Sequence, residues 1–531
     1  MRGVSPFQIS HLKSEILLPP DRDQESGVAV GSGSEREPVF SANPTQWPFA
    51  FKLAPRAPSL ILPFRTGYSV FPPAMSTPVE PSAPAAPRMP VGLANAYTFQ
   101  VFNTISFSIV LGVPMMLFFK QLGASATILG IAAALPPLLN ILQVPAARFV
   151  ESIGYRKFVL RGWSARSYLI IGMAVTAFLP GRIDTATRIA LMLLLLFLYN
   201  ASRGISVCGF LPWMTKLVPE EIRGHYISRD QMSSALASVG ALLLNSYFLR
   251  EGSSLNAFGG IFLFSFAAAM ASLYFLRKIP DVPVEATPYS SGKVPWREML
   301  FYPPFFKFMI FNVIANSAFA AAGVFWIPMF RDLFHFSSSK TLLLASLSVF
   351  VSACSLFAFG KIVDRVGSRP IIALGLIFFA LHFLGWALMA SHLLPLTYTW
   401  LIIIQVSAGL CGSLYNLGNT RMLMSIVPAM GRSHFFALFS VIVSLVLGLM
   451  PVLWGIVLDS LSNWHQVMWG WEWNKYSFLY IILALTMVVA QYYLHRLDEP
   501  RAMRTDEFMH ELLINTPSRA ITRLFFRKPL P

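Results

Sequence analysis

Arg203 sits inside LLLLFLYNASRGISVCGF, part of a largely apolar run over 188–213, about ten residues before that run ends. That is ~15 Å of helix. A guanidinium at such depth is costly and is normally tolerated only where it faces a cavity or a partner. Facing a cavity, it can grip an anionic group through two parallel hydrogen bonds. Otherwise it snorkels to the surface or gives its donors to backbone carbonyls, and the residue type leaves both open. Arg166 lies at similar depth in the preceding run, and His382, in a later one, reads as a packing residue rather than a proton carrier. Asn312 and Asn316, four residues apart, share one helical face. Asp and Glu are missing from the middle of every apolar run; Glu151, Asp364 and Asp459 lie near run ends. Cys208, Cys354 and Cys411 have neither metal-binding spacing nor the even count of a disulfide framework. With no HExxH, no GxxxxGK[ST], no paired intramembrane carboxylates and no nucleophile beside a base, the sequence points away from an enzyme and from a bound cofactor or metal.

The elements that must position these residues are helices in lipid. Charged residues make up 12% of the chain, against about 25% in an ordinary soluble domain. Mean hydropathy is +0.59. Twelve spans are predicted, near 96–119, 126–148, 158–179, 188–213, 230–249, 255–277, 307–330, 340–362, 370–391, 397–420, 435–458 and 475–495. Residues 1–92, rich in Pro, Ser and Gly, read as a disordered extension, and Met75 offers an alternative start that would leave 1–74 outside the natural product. Residues 93–279 form one six-helix half, 280–304 a polar linker, 305–497 a second half and 498–531 a basic tail. The net charge of +16 lies in the loops and tails, with no basic stripe interleaved with aromatics, so nucleic acid is not an expected partner. Seventeen Lys and Arg fall on one side of the predicted topology and seven on the other, which places both termini in the cytoplasm.

The two halves echo each other. ARFVESIGYRK (147–157) answers GKIVDRVGSRP (360–370), and Phe102-Asn103 answers Phe311-Asn312. VPM at 113–115 answers IPM at 327–329, and FKQL at 119–122 answers FRDL at 330–333. VPEEIRGHY (218–226) answers VPAMGRSHF (427–435). Five matches in the same order, at offsets between 209 and 214, point to a duplicated six-helix unit. Twelve spans in two repeated halves, with a charged motif after spans 2 and 8, resemble the major facilitator superfamily over roughly residues 95–497.

The resemblance implies an all-α membrane fold of two pseudo-symmetric six-helix halves, with a midplane cavity lined by spans 1, 4, 7 and 10 and flanked by 2, 5, 8 and 11. The polar residues on those spans are then the binding candidates. They are Asn103 and Ser106; Asn140 and Gln143; Tyr199, Asn200 and Arg203; Asn312 and Asn316; and Gln405, Tyr415 and Asn416. Span 3 is peripheral in the family, which gives Arg166 a structural role. The motif residues Glu151, Gly154, Arg156, Lys157, Gly360, Asp364, Arg365, Gly367 and Arg369, with Arg223 and Arg432 after spans 4 and 10, become a conformational switch holding the halves together at the cytoplasmic side. Ala147, Glu151 and Ser152 depart from the family's Gly, Asp and Arg, which weakens the first copy of that latch. The expectation is a monomeric secondary or facilitative transporter in the cell membrane, moving a small solute by alternating access, with an anion as the substrate Arg203 suggests. Coupling then falls to His382, exchange, facilitated diffusion or an unidentified ion. A non-transporting sensor or scaffold of the same fold, and an exporter of apolar compounds using Tyr199 and Tyr415, stand as alternatives.

Overall fold

The computed structural model describes residues 92–179, 183–218, 220–250, 254–283, 296–428, 432–468 and 470–497. The expectations for 1–74, for most of the linker and for the basic tail lie outside them. Span 1 is split into α1 (Ala94–Val110) and α2 (Val113–Gln121). Gly112 makes the break: its backbone is extended, Pro114 opens α2, and a Cβ at 112 would stand 2.2 Å from the Ser108 carbonyl oxygen. Span 2 is α3 (Ala126–Leu139), a 3-10 turn (Asn140–Leu142) and α4 (Gln143–Ile153). Its Pro136-Pro137 pair cannot donate to the preceding turn, and the helix tightens just beyond it.

The remaining spans of the first half are α5 (Tyr155–Ala177), α6 (Thr185–Leu217), α7 (Glu220–Phe248) and α8 (Leu255–Arg277). Asp184 caps α6 by accepting from the Thr187 hydroxyl and N–H, which hold its carboxyl below the usual carboxylate range. After the short helix α9 (Trp296–Leu300), the second half comprises α10 (Pro303–Asp332), α11 (Ser338–Val366), α12 (Ser368–Ala390), α13 (Tyr398–Ile426), α14 (Arg432–Ser460) and α15 (Lys475–His495). A hairpin of β1 (His465–Met468) and β2 (Trp471–Asn474) joins the last two, with His465 paired to Asn474.

Ten of these segments are individually long and apolar enough to cross a bilayer. The other two spans, α5 and α7, are as long but carry Arg156, Lys157 and Arg161, and Arg229 and Asp230. Helix α7 also starts ten residues before the expected boundary at 230. Its polar first turns, EEIRGHYISR, look like a loop by hydropathy yet continue the helix, so Asp230 lies one third of the way along it.

The repeat is visible in the backbone. Gly154, between α4 and α5, and Gly367, between α11 and α12, have φ of +88° and +97°. Each is followed two residues later by an arginine. Arg156 donates to the Arg277 carbonyl at the end of span 6, and Arg369 donates to the His495 carbonyl, 2.6 Å away, at the end of span 12. In both halves, therefore, the described part of the motif ties a loop to its own half. The side chains of Glu151, Arg223, Gly360, Asp364, Arg365 and Arg432, expected to form the inter-half switch, lie outside the described residues. Lys157 is exposed.

The halves meet mainly through α3 against α14 and α7 against α11. At the face opposite the charged motifs the seal is polar. Lys120 Nζ stands 2.7 Å from Asp332 Oδ1, and Arg331 Nη2 donates to Gln121 Oε1 at 3.0 Å. Asp459 accepts from the N–H groups of Ala126 and Thr127 at the start of α3, both at 2.8 Å. One apolar core joins both halves on this side and continues through the second half to the motif side. On the motif side the first half keeps a core of its own, around Phe99, Trp163 and Trp213, and among the described residues no second-half side chain joins it.

Candidate functional site

Two polar clusters are buried in the interior, one in each half. In the first half Arg166 is 3% exposed and is held between rings. Its Cζ lies 4.0 Å from the Trp163 ring centre, 4.5 Å from that of Phe107 and 6.0 Å from that of Tyr199. Nη2 donates to Asn103 Oδ1 at 2.5 Å, while Nη1 is buried without a hydrogen-bond partner. The residue assigned a structural role from its span thus contacts spans 1 and 4, both cavity-lining spans in the family pattern.

Arg203 is half-buried. Nη2 donates to the Pro136 carbonyl at 2.9 Å and to Asn140 Oδ1 at 2.8 Å, and Nε donates to Asn200 Oδ1 at 3.4 Å. The Asn140 N–H closes onto the Leu138 carbonyl, so the Pro136 oxygen is left to accept from the guanidinium. The close approach of spans 2 and 4 depends on Gly204, where a Cβ would stand 2.0 Å from the Leu139 carbonyl oxygen. Arg203 therefore does pair with a backbone carbonyl, one of the two outcomes open in the sequence, while remaining partly accessible. Tyr199 and Asn200 are buried beside it. Ser106 turns away to Ser265, at 2.9 Å, and Gln143 is half-buried on α4.

In the second half Asn312 is the hub. Its Oδ1 accepts from Asn419 Nδ2 at 2.8 Å, and from Asn316 Nδ2 and the Tyr415 hydroxyl at 3.4 Å each. Phe319 packs on the Tyr415 ring with centres 4.6 Å apart. Asn419 was missed in the sequence, and Asn416 was named in its place. Tyr415 and Asn419, four apart, share the face turned to span 7, whereas Asn416 is exposed and bonds only within its own helix, to Gly412 O at 2.9 Å. Gln405 is buried, and its carbonyl accepts from Ser348 Oγ at 3.2 Å. His382 is satisfied inside its half. The Trp386 Nε1–H donates to Nε2 at 3.2 Å, leaving the proton on Nδ1 to donate to the Ile404 carbonyl at 3.1 Å.

The clusters differ in charge. The second is built from amides, a phenol and rings; the first carries two guanidiniums whose hydrogen-bond partners are neutral oxygens. Between the halves, on the sealed side, a cavity of about 330 Å³ is lined by Val110–Val113 and Met116 of span 1, Ala132, Ala133 and Pro136 of span 2, Leu196 of span 4, and Gly323, Val324 and Ile327 of span 7. Pro136 belongs both to this wall and to the Arg203 contact.

Solved structures share this architecture at low sequence identity. The nucleoside transporter NupG superposes with a TM-score of 0.60 at 12% identity, over 77% of this chain and 100% of NupG. A bacterial homologue of the iron transporter ferroportin, in an inward-facing state, gives 0.58 at 13%, over 76% and 97%. A bacterial homolog of the human lysosomal transporter Spinster, also inward-facing, gives 0.54 at 14%, over 83% and 98%. No curated protein sequence matches the chain. The Major Facilitator Superfamily model matches residues 96–398 and 343–530. With the duplicated halves and the paired Gly-x-Arg turns, that match makes the chain a membrane transporter of the Major Facilitator Superfamily.

Proposed function

We propose that this transporter carries a small anionic solute, binding it at the midplane through Arg166 and Arg203 and releasing it as the halves rock about the cavity. The observation that carries the reading is the buried Arg166 Nη1, a cationic donor with no hydrogen-bond partner among the described residues, beside a second arginine that is itself partly accessible. An orphaned charged donor in a protein interior is expensive, and an anion that enters the site relieves that cost. Asn103 and Tyr199 hold the first guanidinium in place, Asn140 and Pro136 the second. The amide cluster around Asn312 supplies neutral donors from the facing half, so the bound solute touches both halves and its occupancy is linked to their approach. With the motif face in the cytoplasm, as the loop charges suggest, the sealed face is external and the described state opens inward.

The test is solute uptake into proteoliposomes with a set of labelled organic and inorganic anions. Saturable uptake of an anion, abolished by Arg203→Ala and reduced by Arg203→Lys, is the expected result. Uptake confined to neutral or cationic solutes would remove the arginines from the site, and no flux with any of the three classes would favour a sensor or scaffold.

A further inference from the structure

The cavity that shares Pro136 with the Arg203 contact has a lining ill suited to an inorganic anion. Every residue around its 330 Å³ is Gly, Ala, Val, Leu, Ile, Met or Pro. The side chains offer no hydrogen bonds, so a phosphate or sulfate held there would trade its hydration for a few backbone groups and the arginine end. Polar and apolar surfaces meet at Pro136, whose carbonyl accepts from Arg203 while the residue lines the cavity. Leu196, also in the wall, precedes Arg203 by seven residues on the same helix, ~10 Å along its axis. The site is therefore two-part: cationic at one end and greasy at the other.

We infer that the substrate is an amphipathic organic anion, its charged group on Arg166 and Arg203 and a linear or compact hydrocarbon body in the cavity bounded by Leu111, Ala133, Pro136, Leu196 and Gly323. This deepens the proposed anion transport and rests on it. The wall also explains the order of events. The cavity spans residues of both halves, so an apolar body seated in it touches spans 1, 2 and 4 on one side and span 7 on the other. Burial of that body rewards the closed arrangement of the sealed face, and the charged end reports whether the right solute is present.

Gly323 makes the inference testable without damage to the fold. A Cβ at 323 meets nothing within 4 Å, so a larger side chain there projects into open space. Leucine is also the better helix former, by nearly ~1 kcal/mol. The probes are a homologous series of alkylsulfonates, from methane- to hexanesulfonate, with inorganic sulfate, whose binding to the purified full-length protein is measured by calorimetry and thermal shift. In wild type, affinity should rise with chain length, up to about fourfold per methylene, the equivalent of ~0.8 kcal/mol. In Gly323→Leu the chain-length gain should vanish, the long members falling to the affinity of the short ones. In Arg166→Gln all members should weaken together. A wild-type affinity independent of chain length, or a gain that persists in Gly323→Leu, would overturn the inference while leaving anion recognition standing. Failure of every sulfonate and of sulfate to bind wild type would overturn the anion reading beneath it.

Discussion

At the scale of single residues, the polar clusters make sharp contrasts. Asn312 accepts from three side chains, and Asn312→Ala strands two of those donors, Asn419 Nδ2 and the Tyr415 hydroxyl, while Asn316 keeps the Asn312 backbone carbonyl. Each stranded group costs about 1–3 kcal/mol, less whatever the neighbours recover by repacking. A clear fall in the melting temperature is expected for Asn312→Ala and a negligible one for Asn416→Ala, which is exposed and bonded within its own helix. Equal effects would mean that the hub is not the organising group. The same pair shows what the sequence could and could not supply. Tyr415 and Asn312 were identifiable as polar groups in apolar spans, but choosing Asn419 over Asn416 needs the helix's rotation, and a single span does not fix that. The surroundings of Arg166 were hidden for a related reason: its span is peripheral as a whole, and only the fold shows that one long side chain reaches the faces of Phe107, Trp163 and Tyr199.

Elements, more than side chains, were legible. The spacing of the repeated motif located two positive-φ glycines, Gly154 and Gly367, while the tightening of span 2 beyond Pro136-Pro137 was not read from the sequence. Hydropathy alone missed the first ten residues of α7, because helix can continue where the lipid stops. Gly154 has no atoms near its missing Cβ, so Gly154→Ala tests conformation alone and should cost ~1–2 kcal/mol. Gly260→Ala is the matched control: it lies inside α8, also in open space, and should be neutral or slightly stabilising. A melting curve for each variant decides between them, and an unstrained Gly154→Ala would remove the left-handed turn from the account.

For the whole molecule, the most telling contacts are those between the repeated segments FKQL and FRDL. Matched by position, Lys120 corresponds to Arg331 and Gln121 to Asp332, and the bonds cross: Lys120 with Asp332, Gln121 with Arg331. Such reciprocal pairing is what a pseudo-two-fold axis between the halves requires. The repeat was plain in the sequence; that its copies clasp each other was not, because no sequence offset says which ends of two helices meet. Tyr476 adds a hydrogen bond to Asp332 at 2.7 Å. These are partly exposed interactions, worth about 0.2–1 kcal/mol for an ion pair, so they tune the balance between states and do not lock it. Asp332→Ala should raise the labelling rate of a cysteine placed at Gly323, probed from the sealed face, by about two- to fivefold, the population change that such an energy allows. An unchanged rate would show that the apolar core beneath holds the face closed alone.

The central claim is that two arginines at the midplane select a negative charge. The most direct measurement is a thermal-shift screen of full-length protein against solutes sorted into anionic, neutral and cationic sets, run in parallel on wild type, Arg166→Gln and Arg203→Ala. A ligand that binds only the folded state raises its apparent stability. The account predicts that stabilising solutes fall in the anionic set and lose their effect in both variants. Stabilisation by neutral or cationic solutes that survives both substitutions would contradict it.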